Sequence, residues 1–507
     1  MTTQSPTLTQ PQNVSTETGM ARLERLFALQ QEAFMANPYP SAKQRKDLMR
    51  RIPDMLAKYR QQIQEALRED FGHHSTQQAD LVEILGMYDR AKHNISQVSK
   101  WMRPSKRTPN FVTLGSSKAY LKYHPKGVVG NMVSWNFPFD IAIGPTLDAL
   151  AAGNKVIIKP SEYSPACGAI LQEMIAETFD EQDVAVVNGG LDLAVAFSQY
   201  KWDHLLYTGS GAVGKKVMEA AAKNLVPVTL ELGGKCPAII DKDAITKATV
   251  TDIAGVKVVK RGQMCVTVDH CLVPSASLDT FTDLMVSHFD EHFSEDNGAA
   301  HSTGIISDRH LKRLQSLVDD ARAKGAEVHE IGAVLPGNER NMPFYIVKNP
   351  PADALVMQEE IFGPILPILP YDNKEDVIHR VNAGDRPLGL YVFSKDKSFI
   401  DDITTRTRSG GVAINIAGLQ AAHPAMPFGG IGESGMGHHH GVEAFREFSN
   451  PRGYFIKGKG GAMDRLTAPY TDRTDNLIEK AGYASLGKQA IFALKNLPAN
   501  LWAQIVG

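Results

Sequence analysis

One of the four cysteines in this chain has neighbours that suit a nucleophile. Cys265 closes the run Gly262-Gln263-Met264-Cys265, whereas Cys167 lies in a helical pattern. Flanking glycine and polar residues favour a reactive thiol, because reactivity needs access and surroundings that support the thiolate. A free cysteine is more often a small buried hydrophobic residue, and Cys236 and Cys271 fit that description. No two cysteines form a CxxC pair, which argues against zinc and thioredoxin-like chemistry.

Other segments carry residue types that could assist a nucleophile or hold a phosphate. Glu231 opens the run Glu-Leu-Gly-Gly-Lys, 34 residues before Cys265. Residues 207–214 (Tyr-Thr-Gly-Ser-Gly-Ala-Val-Gly) join a predicted strand end to a predicted helix start. Backbone N–H groups and the Ser210 hydroxyl could hold a pyrophosphate there. Each segment also has a structural alternative: a solvated acid, a tight glycine turn or, for Trp135-Asn136-Phe137-Pro138, simple turn chemistry.

The composition is that of a folded globular chain without a strongly charged partner surface. Of 507 residues, 54 are Lys or Arg and 56 are Asp or Glu, which gives a formal net charge of −2. This balance provides no basic footprint for nucleic acid or an anionic membrane. The polar first residues lack the features of a signal peptide, and no run of about 18 apolar residues occurs. We therefore expect a cytoplasmic protein with no membrane span and no nucleic-acid partner.

The elements that must position these residues follow an α/β pattern. Helical periodicity from residue 20 to about 102 gives way to β-branched runs that alternate with helical stretches between 128 and 240. This rhythm predicts a doubly wound parallel sheet with a nucleotide or similar ligand at its carboxyl edge. A second α/β unit is expected from about 244 to 410. The alternating segment 111–124 predicts a hairpin or a bridging strand pair.

The order of the motifs resembles that of the aldehyde dehydrogenase superfamily from about residue 20 to residue 460. Residues 386–391 and 434–441 are most similar to the class 3 branch, especially to the bacterial coniferyl aldehyde dehydrogenases. The matching motifs are Ser134-Trp135-Asn136-Phe137-Pro138, Lys159-Pro160-Ser161-Glu162, Thr208-Gly209-Ser210 through Gly214, Glu231-Leu232-Gly233-Gly234-Lys235, Gly262-Gln263-Met264-Cys265, Glu359-Glu360-Ile361-Phe362-Gly363-Pro364 and Pro427-Phe428-Gly429-Gly430.

This resemblance implies catalytic roles for three residues. Cys265 would be the thiolate that attacks the aldehyde carbon. The Asn136 amide and the Cys265 backbone N–H would stabilise the thiohemiacetal oxyanion, and one such donor is worth about 3–4 kcal/mol. Once hydride transfer to the nicotinamide leaves a thioester, Glu231 would be the general base for the thiol or for the hydrolytic water.

The resemblance also implies a site for NAD, with NADP as the alternative. Lys159 and Glu162 would bind the adenine ribose, and Glu162 would repel a 2′-phosphate. Glu360 would hold the nicotinamide ribose, Phe362 would pack beside the nicotinamide, and Gly209 with Ser210 would take the pyrophosphate. The full set expected to bind the cofactor is Ser134, Trp135, Lys159, Ser161, Glu162, Gly209, Ser210, Gly214, Leu232, Glu360 and Phe362.

The substrate pocket is expected to include Phe137, Met264 and Phe428, with core packing as the alternative for each aromatic. Where many family members carry an Asn and a small residue, this chain has Lys260-Arg261. Two cations facing Cys265 would lower its pKa, but we expect them to point to solvent or to pair with acids elsewhere. The histidines at 438–440 are not expected to bind a metal, because no other ligand cluster accompanies them.

The sequence thus predicts an α/β enzyme with a doubly wound cofactor domain, a second α/β catalytic domain and a small bridging β element. We expect NAD(P)-dependent oxidation of a hydrophobic aldehyde, aromatic and coniferyl aldehyde-like, to its acid. A CoA-acylating enzyme and a non-catalytic protein of the same fold are the alternatives. The resemblance implies a homodimer or a dimer of dimers.

The expected divisions are a flexible tail at 1–19, a cofactor domain at 20–232, a catalytic domain at 233–412, a return with a bridging strand at 413–460, and a C-terminal extension at 461–507.

Overall fold

A computed structural model describes residues 17–293, 301, 303–332, 340–461, 468–472 and 474–476. Most of the predicted tail at 1–19 and of the extension at 461–507 lies outside the described residues. The described chain divides into two compact units, one of Met1–Val98 and Pro125–Phe448, the other of Ser99–His124 and Ser449–Gly507. Among the described residues, every helix is too short or too polar to traverse a lipid bilayer.

The strands are mostly short and buried. They are β1 (Ser105–Arg107), β2 (Lys118–Pro125), β3 (Val128–Met132), β4 (Lys155–Lys159), β5 (Val184–Val186), β6 (His204–Thr208), β7 (Val228–Glu231), β8 (Pro237–Ile240), β9 (His270–Pro274), β10 (Glu327–Ile331), β11 (Phe344–Lys348), β12 (Ile365–Tyr371), β13 (Gly389–Phe393), β14 (Gly411–Ile414), β15 (Gly435–Met436) and β16 (Ser449–Ile456).

The helices alternate with these strands through most of the chain. They are α1 (Gly19–Ala36), α2 (Ala42–Phe71), α3 (Thr76–Ala79), α4 (Gly86–Trp101), α5 (Phe111–Leu114), α6 (Asp140–Ala152), α7 (Pro165–Thr178), α8 (Leu191–Gln199), α9 (Gly211–Ala222), α10 (Lys247–Val258), α11 (Leu278–Phe293), α12 (Asp308–Ala323), α13 (Leu355–Gln358), α14 (Lys374–Ala383), α15 (Lys397–Arg406) and α16 (Gly441–Glu447). A π-helical turn, Asp80–Leu85, joins α3 to α4.

The larger unit contains two open sheets. The six-stranded sheet has the order β15-β7-β6-β3-β4-β5 and is parallel except for β15. The seven-stranded sheet has the order β10-β11-β12-β9-β8-β13-β14 and is parallel except for β10. The α/β prediction with a parallel cofactor-type sheet is confirmed.

Strand burial explains why the apolar runs are nearly continuous. Ala238 and Cys271 belong to one core cluster of the seven-stranded sheet, while their neighbours Ile239 and Leu272 belong to another. Successive strand residues point to opposite faces, so helices cover both sides of the sheet. Because both faces of the sheet are covered, successive positions along these strands carry apolar residues.

The smaller unit is built on a three-stranded sheet with the order β1-β2-β16. The rings of Tyr120 and Tyr454 stack at 4.9 Å, and the Tyr454 hydroxyl lies 2.9 Å from His124 Nε2. The strand expected within residues 413–460 is present as β16. The predicted strand alternation over 111–124 is wrong at its start, because residues 111–114 form α5, with the Gly115 N–H bonded to the Phe111 carbonyl.

Candidate active site

The candidate site lies at the carboxyl edge of the six-stranded sheet. The chain adds β4 and β5 on one side of β3, and then β6 and β7 on the other side. The strand order therefore reverses between β3 and β6, and open α/β sheets bind ligands at such a point. Residues 134–136 follow β3, residues 209–210 follow β6, and Glu231 ends β7. The chain then crosses through Gly233 and Gly234 to β8, so this edge faces the segments that lead into the seven-stranded sheet.

Cys265 lies between a left-handed turn and β9. Lys260, Arg261 and Gly262 have φ values of 50°, 54° and 76°, and a Cβ on Gly262 would stand 2.3 Å from the Gly363 carbonyl. The Cys265 carbonyl accepts a hydrogen bond from the Cys236 thiol at 3.4 Å. Burial, together with the carboxyls of Glu360 and Glu231, raises the pKa of the Cys265 thiol. The resting thiol is therefore protonated and needs a proton acceptor to become a nucleophile.

Asn136 is held beside the cysteine segment. Its side chain is 2 % exposed, and Nδ2 donates to the Gln263 carbonyl at 3.2 Å, two residues before Cys265. The residues that follow Asn136 form the first turn of α6, where the Ile141 N–H donates to the Phe137 carbonyl at 3.0 Å. The structure thus brings together an amide and a thiol separated by 129 residues in the sequence (265 − 136).

Glu231 presents a buried carboxyl without a hydrogen-bond partner at either oxygen. Burial raises its pKa well above the ordinary value, and Arg90 opposes that rise. Its backbone is fixed because β15 pairs with β7, placing Gly435 opposite Glu231. A carboxyl with a raised pKa is suited to accept a proton near neutral pH.

A buried polar network that the sequence did not reveal stands behind Glu231. His439 Nε2 lies 4.0 Å from Glu231 Oε1, and His439 Nδ1 accepts from Arg90 Nη2 at 3.0 Å. Arg90 also forms an ion pair with Asp148, whose other oxygen accepts from Asn94 Nδ2 at 2.8 Å. Helical periodicity places Arg90 and Asn94 on α4, but nothing local in the sequence indicates this long-range pairing.

The predicted adenine-ribose residues lie together at the end of β4. Lys159 Nζ donates to Glu162 Oε2 at 2.9 Å, and the Glu162 side chain is 38 % exposed. Ser161 Oγ accepts from the Tyr163 N–H at 3.2 Å, so Ser161 stabilises the turn. The lysine ammonium is buried by the fold, whereas the carboxylate is accessible to a ligand hydroxyl.

The turn between β6 and α9 leaves a helix N-terminus open. Ser210 caps α9 without a side-chain hydrogen bond to the helix and is exposed. A Cβ on Gly209 would stand 2.3 Å from the Tyr207 hydroxyl, and one on Gly214 would stand 2.8 Å from Leu232 Cδ2. Gly214 and Leu232 therefore pack the helix onto the sheet. The Gly209 N–H donates to the Glu231 carbonyl at 3.0 Å, so it is the N–H groups from Ser210 into the first turn of α9 that are placed for an anion.

Glu360 and Phe362 reach this edge from the segment before β12. A Cβ on Gly233 would stand 2.1 Å from Glu360 Oε2, so only glycine permits this approach. Glu360 accepts a hydrogen bond from the Gly234 backbone, and burial raises its pKa to about 8. The rings of Trp135 and Phe362 meet edge to face at 5.4 Å. Accessible carboxyls, an open helix N-terminus and aromatic rings are the groups that a dinucleotide requires, so the residues present fit it.

Lys260 and Arg261, the two cations before Cys265, have different surroundings. Lys260 pairs with Glu83, as expected for a cation that pairs with an acid elsewhere. The expectation that Arg261 reaches solvent or an acid was wrong: it is 3 % exposed, and its guanidinium lies over the Phe344 ring at 4.9 Å. Burial against an aromatic face replaces the carboxylate.

The predicted pocket residues Phe137, Met264 and Phe428 each have contacts with different segments. Phe137 stacks under the Lys260 ammonium at 4.8 Å, and a Cβ on Gly418 would stand 3.7 Å from Met264 Cε. Phe428 pairs with His439 through backbone hydrogen bonds of 2.7 and 2.8 Å, with the two rings 4.9 Å apart. Among the residues that the structure describes, no cluster of three or more His, Cys, Asp or Glu side chains could hold a metal ion.

Comparison with known proteins defines the class to which this fold and site belong. The family model for the aldehyde dehydrogenase family matches residues 3–453, and the chain belongs to that family. It is an aldehyde-oxidising oxidoreductase.

Relatives from the coniferyl and class 3 branches narrow this assignment, as the motifs predicted. The chain is 42 % identical over 459 residues to a probable coniferyl aldehyde dehydrogenase of Pseudomonas aeruginosa, covering 90 % of this chain and 96 % of the relative. It is 37 % identical over 430 residues to the coniferyl aldehyde dehydrogenase of a Pseudomonas species, covering 84 % and 89 %. The mouse aldehyde dehydrogenase family 3 member A2 is 38 % identical over 392 residues, covering 77 % and 79 %.

Solved structures share the fold. Staphylococcus aureus AldH in a substrate-bound state superposes with a TM-score of 0.83 at 31 % identity, covering 90 % of this chain and 98 % of that one. Mycobacterium tuberculosis aldehyde dehydrogenase complexed with NAD+ superposes with a TM-score of 0.78 at 26 % identity, covering 90 % and 92 %.

Proposed function

We propose that this protein oxidises a hydrophobic aromatic aldehyde of the coniferyl aldehyde type to its carboxylic acid, with NAD as oxidant and Cys265 as nucleophile. One observation carries the mechanism: the Asn136 amide is buried against the Cys265 segment through Gln263, while a partnerless buried carboxyl is provided by Glu231. A nucleophile, an oxyanion donor and a base thus stand on separate, rigid elements.

The first step uses the thiol and the amide. The ionised Glu231 carboxylate takes the Cys265 proton and passes it to solvent, and the resulting thiolate forms a C–S bond to the aldehyde carbon. The carbonyl π electrons move to oxygen, and the Asn136 Nδ2–H and the Cys265 backbone N–H stabilise the resulting negative charge. These donors act in a site from which much water is excluded, where an oriented dipole is worth more than in bulk solvent.

The second half of the reaction regenerates the thiol. When bound, the nicotinamide accepts the hydride that leaves the substrate carbon. The thioester that remains on Cys265 is hydrolysed by a water whose proton passes to Glu231, and cleavage of the C–S bond releases the acid. The overall change is aldehyde, NAD+ and water to acid, NADH and a proton.

The residues proposed to hold the cofactor divide by function. Lys159 and Glu162 would bind the adenine ribose, Gly209 and Ser210 the pyrophosphate, and Glu360 the nicotinamide ribose. Ser134, Trp135 and Phe362 would line the nicotinamide end. Because Glu162 is accessible and negative, NAD is preferred over NADP.

The proposal also covers the oligomeric state of the enzyme and its location in the cell. We assign a homodimer, supported by β16, an edge strand on which Phe455 and Ile456 are exposed. The four free cysteines suit a reducing compartment, so we place the enzyme in the cytoplasm. The cofactor domain (20–232) is centred on the six-stranded sheet and the catalytic domain (233–412) on the seven-stranded sheet.

The test is turnover with a panel of aliphatic and aromatic aldehydes and NAD, measured as the absorbance of the NADH that forms. Wild-type protein should oxidise coniferyl aldehyde and cinnamaldehyde faster than acetaldehyde, and Cys265→Ala should be inactive. Cys167→Ala, at a buried cysteine of α7, is the matched control and should keep the activity. Turnover only when coenzyme A is added would support the acylating alternative, and NAD binding without turnover would support the non-catalytic one.

A further inference from the structure

A fully buried ion pair lies between the elements that carry Asn136 and Cys265. Glu83 Oε1 and Lys260 Nζ are 2.5 Å apart, and both side chains are 0 % exposed. Glu83 belongs to the π-helical turn Asp80–Leu85, and Lys260 belongs to the left-handed turn that leads to Cys265. Neither residue matched a motif in the sequence.

The second oxygen of Glu83 holds the start of α6. Glu83 Oε2 accepts hydrogen bonds from the backbone N–H groups of Phe139 at 3.1 Å and Asp140 at 2.9 Å. These are among the first N–H groups of the helix, which have no partner within it. Asn136 stands three residues before Phe139, so Glu83 fixes the backbone from which the Asn136 amide projects.

Lys260 is fixed just as firmly on the other side. Its backbone N–H donates to Gln78 Oε1 at 3.0 Å, and its carbonyl accepts from Gln263 Nε2 at 2.9 Å. The ammonium lies over the rings of Phe71 and Phe137, at 4.9 and 4.8 Å. A φ of 50° at this residue is a conformation that a long side chain rarely adopts, so the surroundings must hold it there.

These contacts close a loop around the oxyanion site. From Lys260 the chain runs to Gln263, whose carbonyl accepts a hydrogen bond from Asn136 Nδ2. From Asn136 the chain runs to Phe139, whose N–H donates a hydrogen bond to Glu83. The Glu83–Lys260 contact is the link that joins the two segments at their far ends. A change in that link alters the distance between the amide and the cysteine.

We propose that the Glu83–Lys260 ion pair is a positioning device that sets the Asn136 amide against the Cys265 backbone N–H for oxyanion stabilisation. The inference rests on the proposed function. It adds two positioning residues that touch neither substrate nor cofactor. A buried ion pair is seldom more stabilising than apolar residues of the same volume, so its use here is better explained by the geometry that it imposes.

The test is a double-mutant cycle with Glu83→Gln, Lys260→Met and the double variant. Each single variant should lower kcat about 10- to 100-fold, while the KM for NAD changes less than about 3-fold. Because the two residues act as a unit, the double variant should lose no more than the worse single one. Hydrolysis of p-nitrophenyl acetate without cofactor also needs the oxyanion donors, so it should fall in parallel.

A second pair controls for loss of stability. Lys155→Met breaks the Lys155–Asp183 ion pair at the start of β4, at the other end of the strand from Lys159. This variant should lower Tm without changing kcat. Glu83→Asp, which keeps the charge on a shorter side chain, tests the link if Glu83→Gln does not fold, and should lower kcat with Tm changed less. Folded variants that keep kcat and ester hydrolysis would overturn the inference, as would losses that multiply in the double variant. Wild-type protein without turnover would overturn the proposed function, and this inference with it.

Discussion

His439 is oriented so that the proton on its ring faces the carboxyl of Glu231. The Arg90 guanidinium can only donate, so the His439 Nδ1 that it contacts at 3.0 Å must be the unprotonated nitrogen. Burial and the Arg90 charge lower the pKa of His439, which keeps the ring neutral. The single ring proton is therefore on Nε2, and that nitrogen lies 4.0 Å from Glu231 Oε1, beyond hydrogen-bond distance.

Replacement of His439 should change the pH dependence of turnover. Glu231 acts as a base only when ionised, so activity is present above its pKa and is lost as the pH falls through it. His439→Phe replaces this neutral polar ring with an apolar one, which makes the ionised carboxylate less favourable and shifts the acid limb of kcat to higher pH by less than about one unit. Profiles of kcat from pH 5 to about 9 measure the shift. An unchanged limb would contradict the orientation, and His379→Phe at an exposed position of α14 is the control.

Loss of the Asn136 amide should affect the chemical step far more than cofactor binding. Asn136→Ala removes one oxyanion donor, so kcat should fall about 10²- to 10³-fold with the Kd for NAD nearly unchanged. Stopped-flow measurement of NADH formation separates the two effects. The exposed Asn224, which donates to the Gln199 carbonyl at 2.8 Å, provides the control Asn224→Ala. A loss of less than about 10-fold would remove Asn136 from the oxyanion site.

Glu162 should control the choice between NAD and NADP. Glu162→Gln removes the negative charge and frees the Lys159 ammonium, now 2.9 Å from Glu162 Oε2, to pair with a 2′-phosphate. The ratio of kcat/KM for NADP to that for NAD should rise about 10-fold or more. Glu219→Gln, at an exposed acid of α9, should leave the ratio unchanged. A clear NADP advantage in the wild-type enzyme would refute the proposed role of Glu162.

Gly435 should be essential to the strand that carries Glu231. Its φ is 136°, and a Cβ there would stand 2.0 Å from the Leu230 carbonyl. Gly435→Ala should therefore cost at least about 1–3 kcal/mol of unfolding free energy and lower kcat through displacement of Glu231. Gly86→Ala, in a helix with open space around the site, should instead be neutral or stabilising by up to about 1 kcal/mol. Thermal melts and kcat of both variants make the comparison, and equal Tm values would contradict it.

The sequence was informative wherever a residue's role is local. The β-branched runs noted between residues 128 and 240 include β3, β4 and β6, because such runs between helical stretches indicate buried parallel strands. The capping box of Ser41 and Gln44, with Gly72 in a left-handed conformation, marks both ends of α2. The short segment 111–114 was mistaken for a strand because a four-residue apolar run carries no reliable period.

Long-range pairing was the part that the sequence did not disclose. Motif order led to Cys265, Glu231 and Asn136. Arg90 lies on the amphipathic helix α4, Asp148 on α6, which is buried on all sides, and Glu83 in the π-helical turn, and none of these patterns indicates a functional role. Their importance comes from partners more than 50 residues away, such as the pair of Arg90 with Asp148 across 58 residues. A buried charge and a solvated one look the same in a sequence, which is why Arg261 was expected to point to solvent or to pair with an acid.

The pairing of β15 with β7 has a consequence for biosynthesis. Glu231 is made early, yet its strand is completed at the sheet edge by residues 435–436, about 200 positions later. A nascent chain that has emerged only to residue 430 can form the strands for a dinucleotide but leaves β7 as an open edge. During translation, the edge beside Glu231 is therefore expected to close only after residues 435–436 have emerged, so this part of the candidate site is completed later than the strands β3, β4 and β6.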